Sequence, residues 1–156
     1  MRRLLVLIAL CAFSAMPARA ETRVEVGFLD CVVEAGVGLI VTSSKRLSCS
    51  FDPADGRPLE RYAGTVRKFG LDVGWTTRTV IKWIVLAPTS ASYTPGALAG
   101  NYVGASAEVT AGVGVGANAL VGGSNRTFVL QPVSVQAQEG LDLAVGFSSF
   151  ELRSVR

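Results

Sequence analysis

The residue types that most often carry catalysis or bind metal ions are sparse in this sequence. The chain has 156 residues and no histidine, so the commonest general base and metal ligand is missing. Its 12 acidic residues are scattered, and most of them flank predicted turns. A carboxylate pair or a Ser-Lys dyad brought together by the fold stays open. We therefore predict a protein that is not an enzyme and that holds no metal ion or cofactor.

The first 20 residues have the pattern of a secretory signal peptide. Arg2 and Arg3 precede an apolar run over residues 4–13, and residues 18–20 read Ala-Arg-Ala, which fits a cleavage site. The apolar run is too short to span a bilayer. We predict cleavage after Ala20 and a single mature domain over residues 21–156.

Removal of this signal peptide makes the protein electrically neutral. Without Arg2, Arg3 and Arg19, the 15 basic residues fall to 12, which equals the 12 acidic residues. Nucleic-acid binding depends on clustered positive charge, so we predict no nucleic-acid partner.

Cys31 and Cys49 are the two cysteines that follow the predicted cleavage site. An even pair in an oxidising compartment favours a disulfide, and short antiparallel strands would bring the sulfurs within bonding range. We predict a structural disulfide that contributes about 3 kcal/mol, with a redox-active or free pair as the alternative. Cys11 would permit lipoprotein processing, but Leu10 stands where that processing favours a small residue.

Residues 102–119 show the clearest structural pattern, because apolar and polar or glycine residues alternate throughout. Only a β-strand has this period of two. At about 3.3 Å per residue the strand would reach about 60 Å, so it must bend or break. Gly112, Gly114 and Gly116 mark the place, and they predict either a curved wall strand or a shallow groove for a ligand or partner backbone. Turn residues follow them instead of a helix, so we predict no nucleotide ligand.

Aromatic residues supply the remaining candidates for a binding site. Trp75 and Trp83 share a parity in a predicted strand over residues 75–87, where they could stack on a ligand or pack in the core. Residues 88–100 contain two prolines and small polar residues, which argue against a buried element. We predict a surface loop or a lid there, with Tyr93 as its one aromatic residue.

Turn residues separate the other predicted strands. Asp52 to Gly56 and Gly122 to Asn125 predict hairpin turns, and Pro132 is expected at an edge or bulge. The strands are expected at residues 23–33, 39–42, 47–51, 60–69, 126–138 and 141–153. Short strands in meander order without a convincing helix predict an all-β fold, a small antiparallel β-barrel of about 8–10 strands. A closed β-sandwich is the second choice.

Several segments together resemble a family of secreted bacterial proteins designated domain of unknown function 992, found mainly in alphaproteobacteria. They are GFLDC, SSKRLSCSF, YAGTVRKFGLDVG, WIVLAPT, LAGNYVGASAEVTAGVGVGANALVGGS and FVLQPVSVQAQEGLDLAVG. The resemblance extends over essentially the whole mature chain. It implies a location in the envelope of a Gram-negative cell, and it implies no activity or catalytic residues.

Together these observations predict a periplasmic protein that serves the cell envelope as a structural or binding module. Alanine and glycine in the wall leave interior space, which facing side chains such as Phe128, Leu130, Phe147 and Phe150 or a lipid-like apolar ligand must occupy. A lipid or another envelope component is thus the expected partner. An outer-membrane-spanning barrel is the alternative, disfavoured because Ala and Val replace a Leu-rich lipid face and no aromatic girdles are evident.

Overall fold

The computed structural model describes residues 21–34, 42–69, 79–104, 119–136 and 147–155, and these form eight β-strands and two 3-10 turns. The strands are Val24–Val33 (β1), Thr42–Pro53 (β2), Glu60–Phe69 (β3), Thr79–Ala87 (β4), Gly100–Gly104 (β5), Leu120–Gly122 (β6), Phe128–Gln136 (β7) and Phe147–Val155 (β8). The 3-10 turns are Ser90–Ser92 and Ser124–Arg126. The predicted all-β class is confirmed.

The eight strands close into an antiparallel barrel in the order β1-β2-β3-β8-β5-β6-β7-β4, with β4 also paired to β1. The predicted barrel is confirmed, and the sandwich is not observed. The expected meander order is wrong, because β4 lies between β7 and β1 and β8 lies between β3 and β5. Residues 88–99, which join β4 to β5, are long enough to cross one end of the barrel, so these two consecutive strands need not be neighbours in the sheet.

Alternation of side chains accounts for the barrel wall. On β1, Leu29, Cys31 and Val33 are buried, while the residues between them are partly exposed. On β2, Cys49 points inward and Ser48 outward by the same period of two. A sequence with this period must bury one face, and closing the sheet gives that face a common interior.

Strand β2 corrects the prediction of two short strands separated by a polar break at residues 43–45. It is continuous over Thr42–Pro53, and Ser43, Ser44 and Lys45 pair with residues 66–68 of β3. Ladder hydrogen bonds to the neighbouring strand hold this segment extended although serine and lysine favour strands weakly. Pro132 lies where the β4–β7 register shifts, between Lys82 and Trp83, so the bulge predicted there is confirmed.

The two described ends of the alternating stretch 102–119 lie side by side in the sheet. Tyr102 pairs with Gly122, and Gly104 pairs with Leu120, so β5 and β6 run antiparallel. The chain therefore reverses direction between these two ends, which agrees with the expectation that the stretch bends or breaks. Residues 105–118, which include Gly112, Gly114 and Gly116, lie outside the described residues.

Large side chains fill the described interior of the barrel. The ring centroid of Phe150 lies 5.9 Å from those of both Trp83 and Tyr102, in tilted and edge-on geometry. Such contacts add about 0.5–1.5 kcal/mol each beyond the burial of area. The largest fully buried side chains are Trp83, Tyr62, Tyr102, Phe51, Phe128, Phe150, Leu29, Ile81, Leu98, Leu120, Leu130 and Leu152. Among the described residues, no helix is long and apolar enough to cross a membrane.

Candidate functional site

Residues 88–99 form a plug at the end of the barrel where β2 passes into β3. Tyr93 is 3% exposed and Leu98 is fully buried within the core cluster, so the segment enters the barrel instead of covering its surface. The Tyr102 hydroxyl donates to the Leu98 carbonyl at 2.9 Å, and the Ser124 amide donates to the Ala97 carbonyl at 3.0 Å. The composition of this segment argued against a buried element and favoured a surface loop or a lid, but its few apolar side chains reach the core, because small residues and tight turns let the chain enter the barrel.

Glu60, the first residue of β3, fastens the plug to the wall. Its carboxylate accepts hydrogen bonds from the Tyr62 hydroxyl at 2.5 Å, from the Gly96 amide at 2.9 Å and from the Tyr93 hydroxyl. Tyr62 belongs to the wall, whereas Tyr93 and Gly96 belong to the plug. One carboxylate therefore bridges two segments that are distant in sequence.

The surroundings of Glu60 keep it ionised. Partial burial by itself would raise the pKa of its carboxyl group, but the hydrogen bonds from Tyr62, Tyr93 and Gly96 favour the charged form more strongly. Its pKa is consequently lowered from the ordinary 4.5. Burial and the neighbouring carboxylate raise the pKa of both tyrosines, so both hydroxyls stay protonated and able to donate.

Arg57 covers the outer side of the plug. Its guanidinium carbon lies 4.6 Å from the centroid of the Tyr93 ring, and the centroid of the Phe51 ring lies 5.1 Å from that of Tyr93 on edge. A hydrogen bond from Arg57 lowers the pKa of Asp55 and orients the guanidinium. Tyr93 is thus held by a carboxylate, an aromatic edge and a cation.

The hydrogen bonds of this cluster have a structural role, because they hold the plug against the barrel wall. Three donors occupy most of the acceptor capacity of Glu60, and the raised pKa of Tyr62 and Tyr93 keeps both hydroxyls protonated. In the part of the chain that the structure describes, no group of three or more Cys, Asp or Glu residues is arranged to bind a metal ion. A shallow depression beside the plug is lined by Leu59, Glu60, Arg61, Pro95, Gly96, Ser154 and Val155.

A second depression, which we call the β2 groove, lies on the outer face of the barrel wall. Its lining residues are Asp30, Val32, Glu34, Ser48, Cys49, Ser50 and Arg61. The first three belong to β1 or follow it directly, and Arg61 belongs to β3, so the two sides lie about 10 Å apart across β2 at the usual strand spacing. Asp30 pairs with Lys82 at 3.4 Å, and Glu34 pairs with Arg46 at 3.1 Å.

The predicted candidate residues are dispersed in the structure. Trp83 is 1% exposed in the core, whereas Tyr93 lies in the plug. Trp75 lies outside the described residues, as do Gly112, Gly114 and Gly116. The structure does not bring Trp83 and Tyr93 together into one groove: Trp83 packs against Phe150, and Tyr93 against Phe51.

The disulfide between Cys31 and Cys49 is confirmed. The two residues are direct cross-strand partners on β1 and β2, with an S–S distance of 2.04 Å. Both cysteines are buried in the core cluster. The disulfide therefore ties two neighbouring wall strands from inside the barrel.

Sequence reasoning missed Glu60 and Arg61. Glu60 shares its parity with Tyr62 and Val66, which are buried, and this shared parity was a usable signal. A carboxylate on an inward parity needs hydrogen-bond donors, so its presence predicts polar partners nearby. Nothing in the sequence pattern pointed to Arg61.

Comparison with known proteins identifies the family. Searches of curated proteins and of solved structures give no significant match. A sequence model described as "Protein of unknown function (DUF992)" matches residues 10–153. Because the match covers nearly the whole chain, this protein belongs to the DUF992 family.

Proposed function

We propose that this protein is an exported structural or binding module of the cell envelope that works in the periplasm. The observation that supports this best is the closed barrel with a filled interior, fastened by a buried disulfide and by the plug. Such a body holds its outer surface rigid, which suits a protein that presents a binding surface or spaces other components.

The compartment is inferred from two independent features. The first 20 residues have the pattern of a cleavable signal peptide. The Cys31–Cys49 disulfide needs an oxidising environment to form and persist. Export to the periplasm would meet both conditions.

The outer wall favours a barrel surrounded by water. Charged residues occupy outward positions on β1, β2, β3, β4 and β8, where a spanning barrel would face lipid. They are Asp30, Arg46, Arg61, Arg67, Lys82, Glu151 and Arg153. An arginine or lysine at the bilayer midplane costs about 2–4 kcal/mol. We therefore place the outer-membrane-spanning barrel second.

A lipid-like ligand inside the barrel has less support than a filled interior. Trp83, Phe128 and Phe150 occupy the described interior, and close packing leaves apolar ligands little room beside them. Native mass spectrometry of protein purified from the periplasm tests this directly. A reproducible bound mass that organic extraction removes would support a carrier, and an unliganded mass would support the filled barrel.

Fractionation tests the proposed location. The full-length chain, expressed in a Gram-negative host, is expected in the osmotic-shock fraction with residues 1–20 removed and without free thiols. A matched variant that lacks residues 2–20 should stay in the cytosol with both cysteines open to alkylation. A full-length chain that stays cytosolic and reduced would contradict the proposal, whereas recovery in detergent-extracted outer membranes would favour the spanning barrel.

A further inference from the structure

The β2 groove combines three kinds of hydrogen-bonding group on a rigid wall. Asp30 and Glu34 form an acidic side, Ser48 and Ser50 supply hydroxyls on the floor, and Arg61 forms the opposite side. Strand pairing sets these positions, since Asp30 lies opposite Ser50 and Ser50 lies opposite Arg61. A row across three paired strands keeps its spacing far better than a loop would.

The acidic side keeps acceptor capacity for a ligand. Asp30 contacts Lys82 through Oδ2, and Glu34 contacts Arg46 through Oε2. Their side chains are 42% and 53% exposed, so each carboxylate group remains accessible to a ligand from solvent. Carboxylate oxygens accept hydrogen bonds strongly, which suits donors such as sugar hydroxyls.

Arg61 is an exposed cation at the other side of the groove. Within the described part of the chain it forms no hydrogen bond or ion pair, and it also borders the depression beside the plug. A guanidinium group binds a carboxylate through two parallel hydrogen bonds. An incoming carboxylate would therefore find Arg61 without having to displace a protein partner.

The shape of the wall disfavours a peptide in this groove. An extended peptide gains affinity by adding a strand to a sheet edge, and the closed order of β1 to β8 leaves no edge among the described strands. A peptide bound by side chains alone needs pockets, but the floor consists of serines. A ring with hydroxyls on its rim and an apolar face fits better, because Val32 offers a small apolar contact between the two carboxylates.

We propose that the β2 groove binds a hydroxyl-rich sugar that carries a carboxylate. Hydroxyls of the sugar donate to Asp30 and Glu34, and its carboxylate accepts from Arg61. The groove has no aromatic platform among its lining residues, so binding of a short oligosaccharide is weak, in the millimolar range. This inference rests on the proposed binding role, and it is measured separately from export.

The test uses two tetrasaccharides that differ in charge. A hyaluronan tetrasaccharide carries carboxylates on alternate rings, and tetra-N-acetylchitotetraose is its uncharged counterpart. Titration of ¹⁵N-labelled protein at neutral pH should shift amide resonances of β1, β2 and β3 with both sugars, and the hyaluronan fragment should bind more tightly. The mature chain with its disulfide intact is used throughout.

Four variants separate binding from general charge effects. Arg61→Gln keeps an amide donor but loses the charge and one of the two hydrogen bonds, so it should weaken binding of the hyaluronan fragment about tenfold and leave binding of tetra-N-acetylchitotetraose unchanged. Asp30→Ala should weaken both sugars. Lys82→Ala removes the ion pair between Lys82 and Asp30 but keeps the Asp30 carboxylate as an acceptor, so it should weaken the binding of neither sugar. Arg126→Gln changes an exposed arginine in the distant Ser124–Arg126 turn and should also weaken neither.

Several outcomes would overturn the proposal. One is the absence of shifts in β1–β3 with both sugars. Another is an equal loss of affinity for the hyaluronan fragment in Arg126→Gln and Arg61→Gln, which would indicate non-specific electrostatic attraction. In a third, a peptide of alternating glutamate and lysine shifts the amide resonances of the groove residues and the two sugars do not. Each can occur while the protein is still found oxidised in the periplasm, so failure here is distinguishable from failure of the proposed function.

Discussion

Replacement of Glu60 by glutamine tests whether one carboxylate fastens the plug to the barrel. Glutamine has nearly the same shape but carries no charge and has one acceptor oxygen instead of two. Because Glu60 accepts from Tyr62, Tyr93 and Gly96, the substitution leaves at least one of these donors without its acceptor.

The expected cost follows from the hydrogen bonds. A hydrogen bond to a charged group contributes about 1.5–3 kcal/mol, and partial exposure of Glu60 places each of its bonds near the lower end. Glu60→Gln should therefore lower the free energy of unfolding by about 2 kcal/mol. Tyr93→Phe removes one donor and leaves the other two, so it should cost about 1.5 kcal/mol.

The effect should also depend on pH with a defined sign. The carboxyl pKa of Glu60 is lower in the folded protein than its ordinary 4.5, so the unfolded chain binds more protons in this range. The stability that Glu60 contributes is complete above about pH 5 and is lost as the pH falls through the folded pKa. The difference between the original protein and Glu60→Gln should shrink accordingly in acid.

Urea unfolding followed by tryptophan fluorescence from pH 3 to pH 7 measures both quantities, because Trp83 is buried in the core. Glu151→Gln is the matched control, since Glu151 forms an exposed ion pair with Arg153 and such pairs contribute about 0–1 kcal/mol. If Glu60→Gln and Glu151→Gln unfold at the same urea concentration, or if the Glu60 effect is the same at pH 3 and pH 7, the fastening role is wrong.

The fold itself supports three further predictions. The double replacement of Cys31 and Cys49 by serine should lower the free energy of unfolding by about 3 kcal/mol relative to the oxidised original protein. Urea unfolding measures this, and the reduced original protein controls for the exchange of cysteine by serine. Gly64→Ala should cost about 1–3 kcal/mol, because a Cβ there would overlap the Glu151 backbone carbonyl across the β3–β8 ladder; no loss would refute this close approach. Trp83→Ala should cost about 3–5 kcal/mol by leaving a cavity beside Phe150, detected as a lower melting temperature, whereas an unchanged melting temperature would contradict a filled interior.

The sequence alone determined the local features of this fold. Alternation predicted strands, and Asp-Gly and Gly-Gly-Ser-Asn predicted the turns before β3 and β7. The cysteine pair predicted the disulfide, because two strands joined by a short connection bring their residues opposite each other. These features depend on side-chain direction and on backbone angles of neighbouring residues, which are properties of the sequence over a few positions.

Tertiary structure decided how the strands close and what covers the end of the barrel. The alternation of apolar and polar residues along β4 is compatible with any neighbouring strand. Its position between β7 and β1 therefore could not be derived from this alternation. The same holds for Glu60, whose partner Tyr93 lies 33 residues away in sequence. The parity of β3 could have shown that this carboxylate points inward beside Tyr62, but only the path of residues 88–99 across the barrel supplies the other two donors, Tyr93 and Gly96. Contacts between distant segments depend on the closure of the whole sheet, and no local pattern encodes them.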